Sequence, residues 1–138
     1  DYTVKAAFVC SQAVLPGMRA RRWGRLISVN TIGIHQPRLT YHGYTAAKTA
    51  MLGFTRNLAT EVGADNVTVN IVSPGLTLTQ EVQARLTEAE RARHVERVPM
   101  KRIGTVEDTA NVALFLASEL ASFVTGHYIP VCGGQVMD

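Results

Sequence analysis

The order of patterned segments along the chain predicts an α/β fold, a parallel sheet covered by helices. Three observations carry that expectation. Short β-branched runs alternate with stretches whose apolar residues recur every three or four positions. The crossovers between the runs are long enough for right-handed connections. The length, 138 residues with 46% hydrophobic and 18% charged, suits one core. Neither repeats nor linkers divide it, so residues 1–138 are expected to form a single domain.

The first element is a helix over residues 4–18, where Val4, Ala7, Phe8, Val14, Leu15 and Met18 recur at helical spacing and Pro16-Gly17 should kink or end it. Arg19, Arg21, Arg22 and Arg25 follow, half of them placed to complement the helix dipole. Residues 25–30 (RLISVN), bounded by Gly24 and Gly33, read as a buried parallel strand. The polar stretch 33–43, with Pro37, reads as a loop. Over 44–62, Ala47, Met51, Phe54, Leu58 and Val62 mark a helix that Gly63 should stop, and Ala46, Ala50 and Gly53 would let another helix approach its opposite face.

The next strand, residues 66–72 (NVTVNIV), alternates and should end at Ser73-Pro74-Gly75, because proline cannot extend the ladder. Residues 77–98 hold few apolar anchors among many charges and a capping box, Thr87 with Glu90, which suggests a helical flap. A second box, Thr105 with Asp108, opens a helix through Ala110, Ala113, Leu114 and Ala117. Residues 128–132 form the last strand, before Gly133-Gly134.

Composition narrows the function. The longest apolar runs, such as 112–117, fall short of the roughly 20 residues of a membrane span, so no membrane partner is expected. The net charge of +3 comes with neither a long basic stripe nor interleaved aromatics, which argues against nucleic-acid binding. Cys10 and Cys132 form no CxxC pair and are expected to be small buried apolar residues in a reducing, cytoplasmic setting. His35, His42, His94 and His127 lack ligand spacing, so no metal is expected.

Tyr44 and Lys48 stand four apart on the 44–62 helix, hence on one face. A phenol titrates too high for proton transfer at neutral pH, and a neighbouring ammonium stabilises its phenolate. Thr31 sits just past the first strand and Pro74-Gly75 past the second, at the ends where open α/β sheets hold ligands. Both strand ends and the start of the Tyr44 helix should face one crevice.

These residues, with Gly24-Arg25-Leu26-Ile27, Asn30-Thr31, Tyr44-Thr45-Ala46-Ala47-Lys48, Val69-Asn70-Ile71-Val72-Ser73-Pro74-Gly75, Thr79, Pro99-Met100-Lys101-Arg102-Ile103-Gly104, Phe115-Leu116-Ala117-Ser118, Thr125-Gly126 and Gly133-Gly134, resemble the short-chain dehydrogenase/reductase family, especially its 3-oxoacyl-(acyl-carrier-protein) reductase-like members. The resemblance covers nearly the whole chain. It implies a Rossmann-like doubly wound parallel sheet, of which this chain holds the second half: about three strands with flanking helices. It implies NAD or NADP as cofactor and a carbonyl or alcohol as substrate. Tyr44 then corresponds to the general acid/base, Lys48 to its tuning partner and holder of the nicotinamide ribose, and Thr31 to the serine that holds the substrate oxygen. Tyr44, Lys48, Pro74, Gly75, Thr77 and Thr79 correspond to positions that contact the cofactor. His35, Gln36, Arg38, Tyr41 and His42 fall in the loop beside the substrate. The resemblance also implies a homodimer or homotetramer, through the 1–18 and 44–62 helices and the C-terminal helix and strand.

The chain departs from the family at four points. Thr31 replaces a serine, adding a methyl that restricts the rotamer. Thr3 stands where an asparagine helps hold a water behind the lysine, and Cys132 replaces an aspartate. No G-x-G occurs, so the glycine-rich turn for the pyrophosphate is missing. Since the chain opens at Asp1 inside a helical pattern, a first half bearing that turn is expected to exist. The first strand would otherwise present an open edge. The alternative is a catalytically impaired binding or assembly subunit, or a remnant of such an enzyme. The substrate, and the choice between NAD and NADP, stay open.

Overall fold

The computed structural model describes residues 2–36 and 39–137. Pro37 and Arg38, expected in the polar loop, and Asp1, expected in the first helix, lie outside the described residues. Three strands, β1 (Gly24–Val29), β2 (Val67–Pro74) and β3 (Tyr128–Val131), form one parallel sheet in the order β1-β2-β3. Leu26 stands opposite Val69, and Val72 opposite Ile129.

Two helices cover one face, α1 (Tyr2–Ala20) and α2 (His42–Val62). Their Leu15, Leu58, Ala59 and Val62 pack with Val67 and Val69 of β2 and Leu26 of β1. A third helix, α5 (Val106–Ala117), covers the other face, where Leu116 and Ala121 meet Val72, Ile27 and Ile129. Two shorter helices, α3 (Gln80–Arg85) and α4 (Glu88–Arg97), lie between β2 and α5 in sequence.

The expected element order holds, and the structure corrects several details. Helix α1 runs through Pro16 to Ala20; the ring costs only the bond to the carbonyl of Gln12, an exposed residue that water can reach. Arg19 in its last turn pairs with Glu61 at 2.7 Å and Asp65 at 3.1 Å, which ties α1 to the end of α2. Arg25 is no surface cation: its side chain is 3% exposed, 5.1 Å from the Trp23 ring and 3.3 Å from Glu119.

Helix α2 begins at His42, two residues before the expected start, and ends as expected at Val62 with Gly63 as its cap. The chain tightens into a 3-10 turn over Gly63–Asp65 and reverses at Asn66, whose φ of 59° is left-handed. Strand β2 does end at Pro74, but it is buried from Val67 through Ser73, because helices cover both faces. The flap is two helices instead of one, broken at Leu86-Thr87, and the Thr87–Glu90 box caps the second. Cys10 is exposed on α1 and Cys132 half-buried, so neither is the buried apolar residue expected. Cys132 instead exchanges hydrogen bonds with the backbone of Val136.

The Thr105–Asp108 box is present, and Arg102 adds two bonds to the same carboxylate, one of 2.8 Å. The Arg102 guanidinium, helped by the Thr105 N–H, holds the Asp108 carboxyl well below the usual carboxylate range. A depressed folded-state pKa stabilises the fold above the ordinary aspartate value of about 3.9 and loses that contribution as pH falls below it. Asp108→Ala is therefore expected to cost about 1 kcal/mol at pH 7, the worth of an exposed cap and ion pair. In urea unfolding the gap from the unsubstituted protein should begin to narrow as pH falls below about 4; a gap constant with pH would exclude a charge contribution.

Candidate active site

The carboxyl ends of β1 and β2 and the amino end of α2 converge on a cleft of about 610 Å³. Thr31, Gly33, Tyr44, Thr45, Gly75 and Leu76 line it on the sheet side. Thr31 is fixed through its backbone. Its N–H donates to the Asn30 side chain at 2.9 Å, and its carbonyl accepts the Tyr128 hydroxyl at 2.9 Å. Its own hydroxyl oxygen accepts the Gly33 N–H at 3.0 Å, so the hydroxyl hydrogen is left to point elsewhere.

Tyr44 stands in the first turn of α2, 47% exposed, edge-on to the Tyr41 ring with centroids 5.8 Å apart. Lys48 lies one turn on, its Nζ 5.9 Å from the Tyr44 ring centroid. That Nζ donates to the Val29 carbonyl at 3.1 Å. No carboxylate among the described residues pairs with it, and burial pushes its ammonium below the ordinary lysine range. Asn30, 5% exposed, joins the elements: its Nδ2 donates to the Lys48 carbonyl at 2.9 Å while its Oδ1 holds Thr31.

The structure thus brings Thr31, Tyr44 and Gly75 to one cleft, with Lys48 behind Tyr44. Pro74, Thr77 and Thr79 are not among the residues that line it. Pro74 ends β2 beside Val131. Thr77 donates its hydroxyl to Gly75 at 3.2 Å, and Thr79 caps α3 by accepting the Val82 N–H. Of the loop residues expected near the substrate, Gln36 and Tyr41 line the cleft and His35 and His42 do not; Arg38 lies outside the described residues. Thr3 sits half-buried on α1 and does not line it either.

Sequence reasoning missed the positioning role of Asn30; it expected the 76–98 flap to shape the pocket, as it does, but did not single out the residues of that far wall. That wall is Leu86, Glu90, Arg93, His94 and Arg97, with Gln135. The available signal was the spacing of Arg93 and Arg97, four apart like Tyr44 and Lys48. Among the described residues no cluster of three or more His, Cys, Asp or Glu could hold a metal, and no helix is long and apolar enough to cross a membrane.

Comparison with known proteins follows the same geometry. The family model described as enoyl-(acyl carrier protein) reductase matches residues 1–135. The chain is 42% identical over 127 residues to a 3-oxoacyl-(acyl-carrier-protein) reductase of Pseudomonas aeruginosa, covering 92% of this chain and 51% of that protein. Among solved structures, a short-chain type dehydrogenase/reductase from Mycobacterium ulcerans superposes with a TM-score of 0.89 at 32% identity, over 96% of this chain and 49% of that one. A gluconate 5-dehydrogenase from Burkholderia cenocepacia, in complex with NADP and tartrate, superposes with a TM-score of 0.87 at 28% identity, over 96% and 52%. The chain spans about half the length of the curated relatives it matches. From the Tyr44–Lys48 helix beside the two strand ends, and from a match over residues 1–135, the chain belongs to the short-chain dehydrogenase/reductase family of oxidoreductases.

Proposed function

We propose that the protein interconverts a ketone or 3-oxoacyl group and a secondary alcohol with NAD or NADP, and that this chain is its substrate-side half. The observation that carries the reading is the shared cleft of Tyr44 and Thr31, with the half-buried Lys48 behind the tyrosine. The NADP-bound gluconate 5-dehydrogenase and the 3-oxoacyl reductase among the relatives support it.

The residues present suit a dinucleotide. Lys48 spends one of its three protons on Val29, which leaves two for ribose hydroxyls, and the Gly75-Leu76 segment at the end of β2 lines the cleft. Tyr44, Lys48, Pro74, Gly75, Thr77 and Thr79 would hold the nicotinamide end. When bound, the dinucleotide supplies or accepts the hydride. Tyr44 gives its phenolic proton to the carbonyl oxygen, or takes the alcohol proton in reverse. Lys48 supports the negative charge this leaves on the phenolic oxygen. Thr31 directs its free hydroxyl hydrogen at the substrate oxygen, because Gly33 already occupies an acceptor site on that hydroxyl.

The faces of α1 and α2 turned from the sheet expose Phe8, Val9 and Val14 and the small residues Ala46, Ala50 and Gly53. Pairing of two copies through them, and of further copies through α5 and β3, is part of the same proposal. The test is NADH and NADPH oxidation by the protein at its full natural length against a panel of ketones. Turnover with either dinucleotide is the expected result; absence of both turnover and dinucleotide binding would sink the reading in favour of a binding or assembly role.

A further inference from the structure

We infer that α4 selects a substrate that carries an anionic group, a carboxylate or a phosphate, in addition to the carbonyl or alcohol, and that Arg97 and Arg93 recognise it. This rests on the oxidoreductase reading above, since it names the substrate class of that cleft.

Among the described residues, every formal charge on the cleft wall comes from α4: Glu90, Arg93 and Arg97. The remaining lining residues, from Thr31 to Gln135, are uncharged. The one acid is held mainly by its own capping box, with its charge also felt by Arg93 three residues on. The Glu90 carboxylate accepts the Thr87 N–H at 3.0 Å and the Thr87 hydroxyl at 2.7 Å, closing the capping box. Arg93 uses its Nε on the Ala89 carbonyl at 3.2 Å, which leaves its terminal amino groups for another acceptor. Among the described residues no carboxylate lies within ion-pair distance of Arg97.

The neighbouring arginines behave differently. Arg85 pairs with Glu81 at 3.4 Å and Arg91 with Glu88 at 3.8 Å, and neither lines the cleft. The arginines that do line it are one turn apart, where like charges repel. A place in the last turn, where a cation complements the dipole, accounts for Arg97, and the charge of Glu90 bears on Arg93, yet among the described residues no ion pair holds the terminal amino groups of either arginine. An anion between two guanidinium groups relieves the repulsion and takes their planar donors. The wall is also anchored. Val98, next after α4, is 2% exposed, and Met100 donates to the Gly133 carbonyl at 3.2 Å. A Cβ at Gly133, whose φ is +61°, would come within 2.8 Å of Val98, so the glycine lets the end of α4 seat against the turn after β3.

The test uses two ketone pairs that differ in charge: acetoacetate against methyl acetoacetate, and dihydroxyacetone phosphate against dihydroxyacetone. With the protein at its full natural length, kcat/KM should favour the anion of at least one pair by about tenfold or more. Which pair responds tells carboxylate from phosphate. Arg93→Gln/Arg97→Gln should remove most of that preference, and Arg97→Lys should keep part of it. Neutral and charged partners handled alike, or a preference untouched in the double variant, would overturn the inference. Ligand-observed NMR of the same four compounds separates the two proposals. Arginine-dependent binding of an anion without any turnover would leave the anion site standing and count against the oxidoreductase reading; binding of none would count against the anion site.

Discussion

Tyr44→Phe should lower kcat by about 10²- to 10⁴-fold, the range that a positioned proton donor contributes. The substitution removes one hydroxyl and keeps the ring, so the edge-on contact with Tyr41 and the position under Lys48 survive. Dinucleotide affinity should fall far less than kcat, because Lys48 and the turn after β2 remain. A single-turnover assay with saturating ketone, next to a dinucleotide titration, reads both quantities. Turnover within about threefold of the unsubstituted protein would remove Tyr44 from the proton-transfer role, since an essential donor is worth far more than that.

Leu116→Ala should be among the most damaging single changes to the fold. Leu116 is 0% exposed and packs with Val72 and Ala121 on the α5 face of the sheet. Truncating a leucine in such a place costs about 2–5 kcal/mol, through lost transfer energy and the cavity left behind. Against a total stability of roughly 5–15 kcal/mol, that is a large fraction. The urea midpoint should drop by roughly 1–2 M. Asn111→Ala, on the exposed side of the same helix, is the control and should shift it little. Equal shifts for the two would mean that α5 is not held by the contacts seen here.

Local pattern made much of this molecule readable. The Tyr44–Lys48 spacing places both residues on one helical face whatever surrounds them, and the two capping boxes need only residues three apart. The helix ends were less legible. Gly63 does cap α2, but the left-handed reversal falls at Asn66, which tolerates that backbone and donates its side-chain amide to the Arg22 carbonyl at 3.0 Å. Strand β2 read as alternating because Thr68 and Asn70 interrupt its valines. Both polar residues are buried, and Asn70 is satisfied by the Val124 carbonyl at 2.8 Å and the His127 N–H at 3.1 Å, more than fifty residues away.

The division follows from range. The sequence by itself determined the order of elements, the parallel sheet and the pairing of Tyr44 with Lys48, because each depends on periodicity or on crossover length. Only the tertiary structure decided that β2 is central and covered on both faces, that Arg25 is buried beside Trp23, that Cys10 is exposed, and that Arg93 and Arg97 share a cleft with Thr31 and Tyr44. Those are relations between segments tens of residues apart, and they are set by which faces pack together, a property that no local pattern encodes.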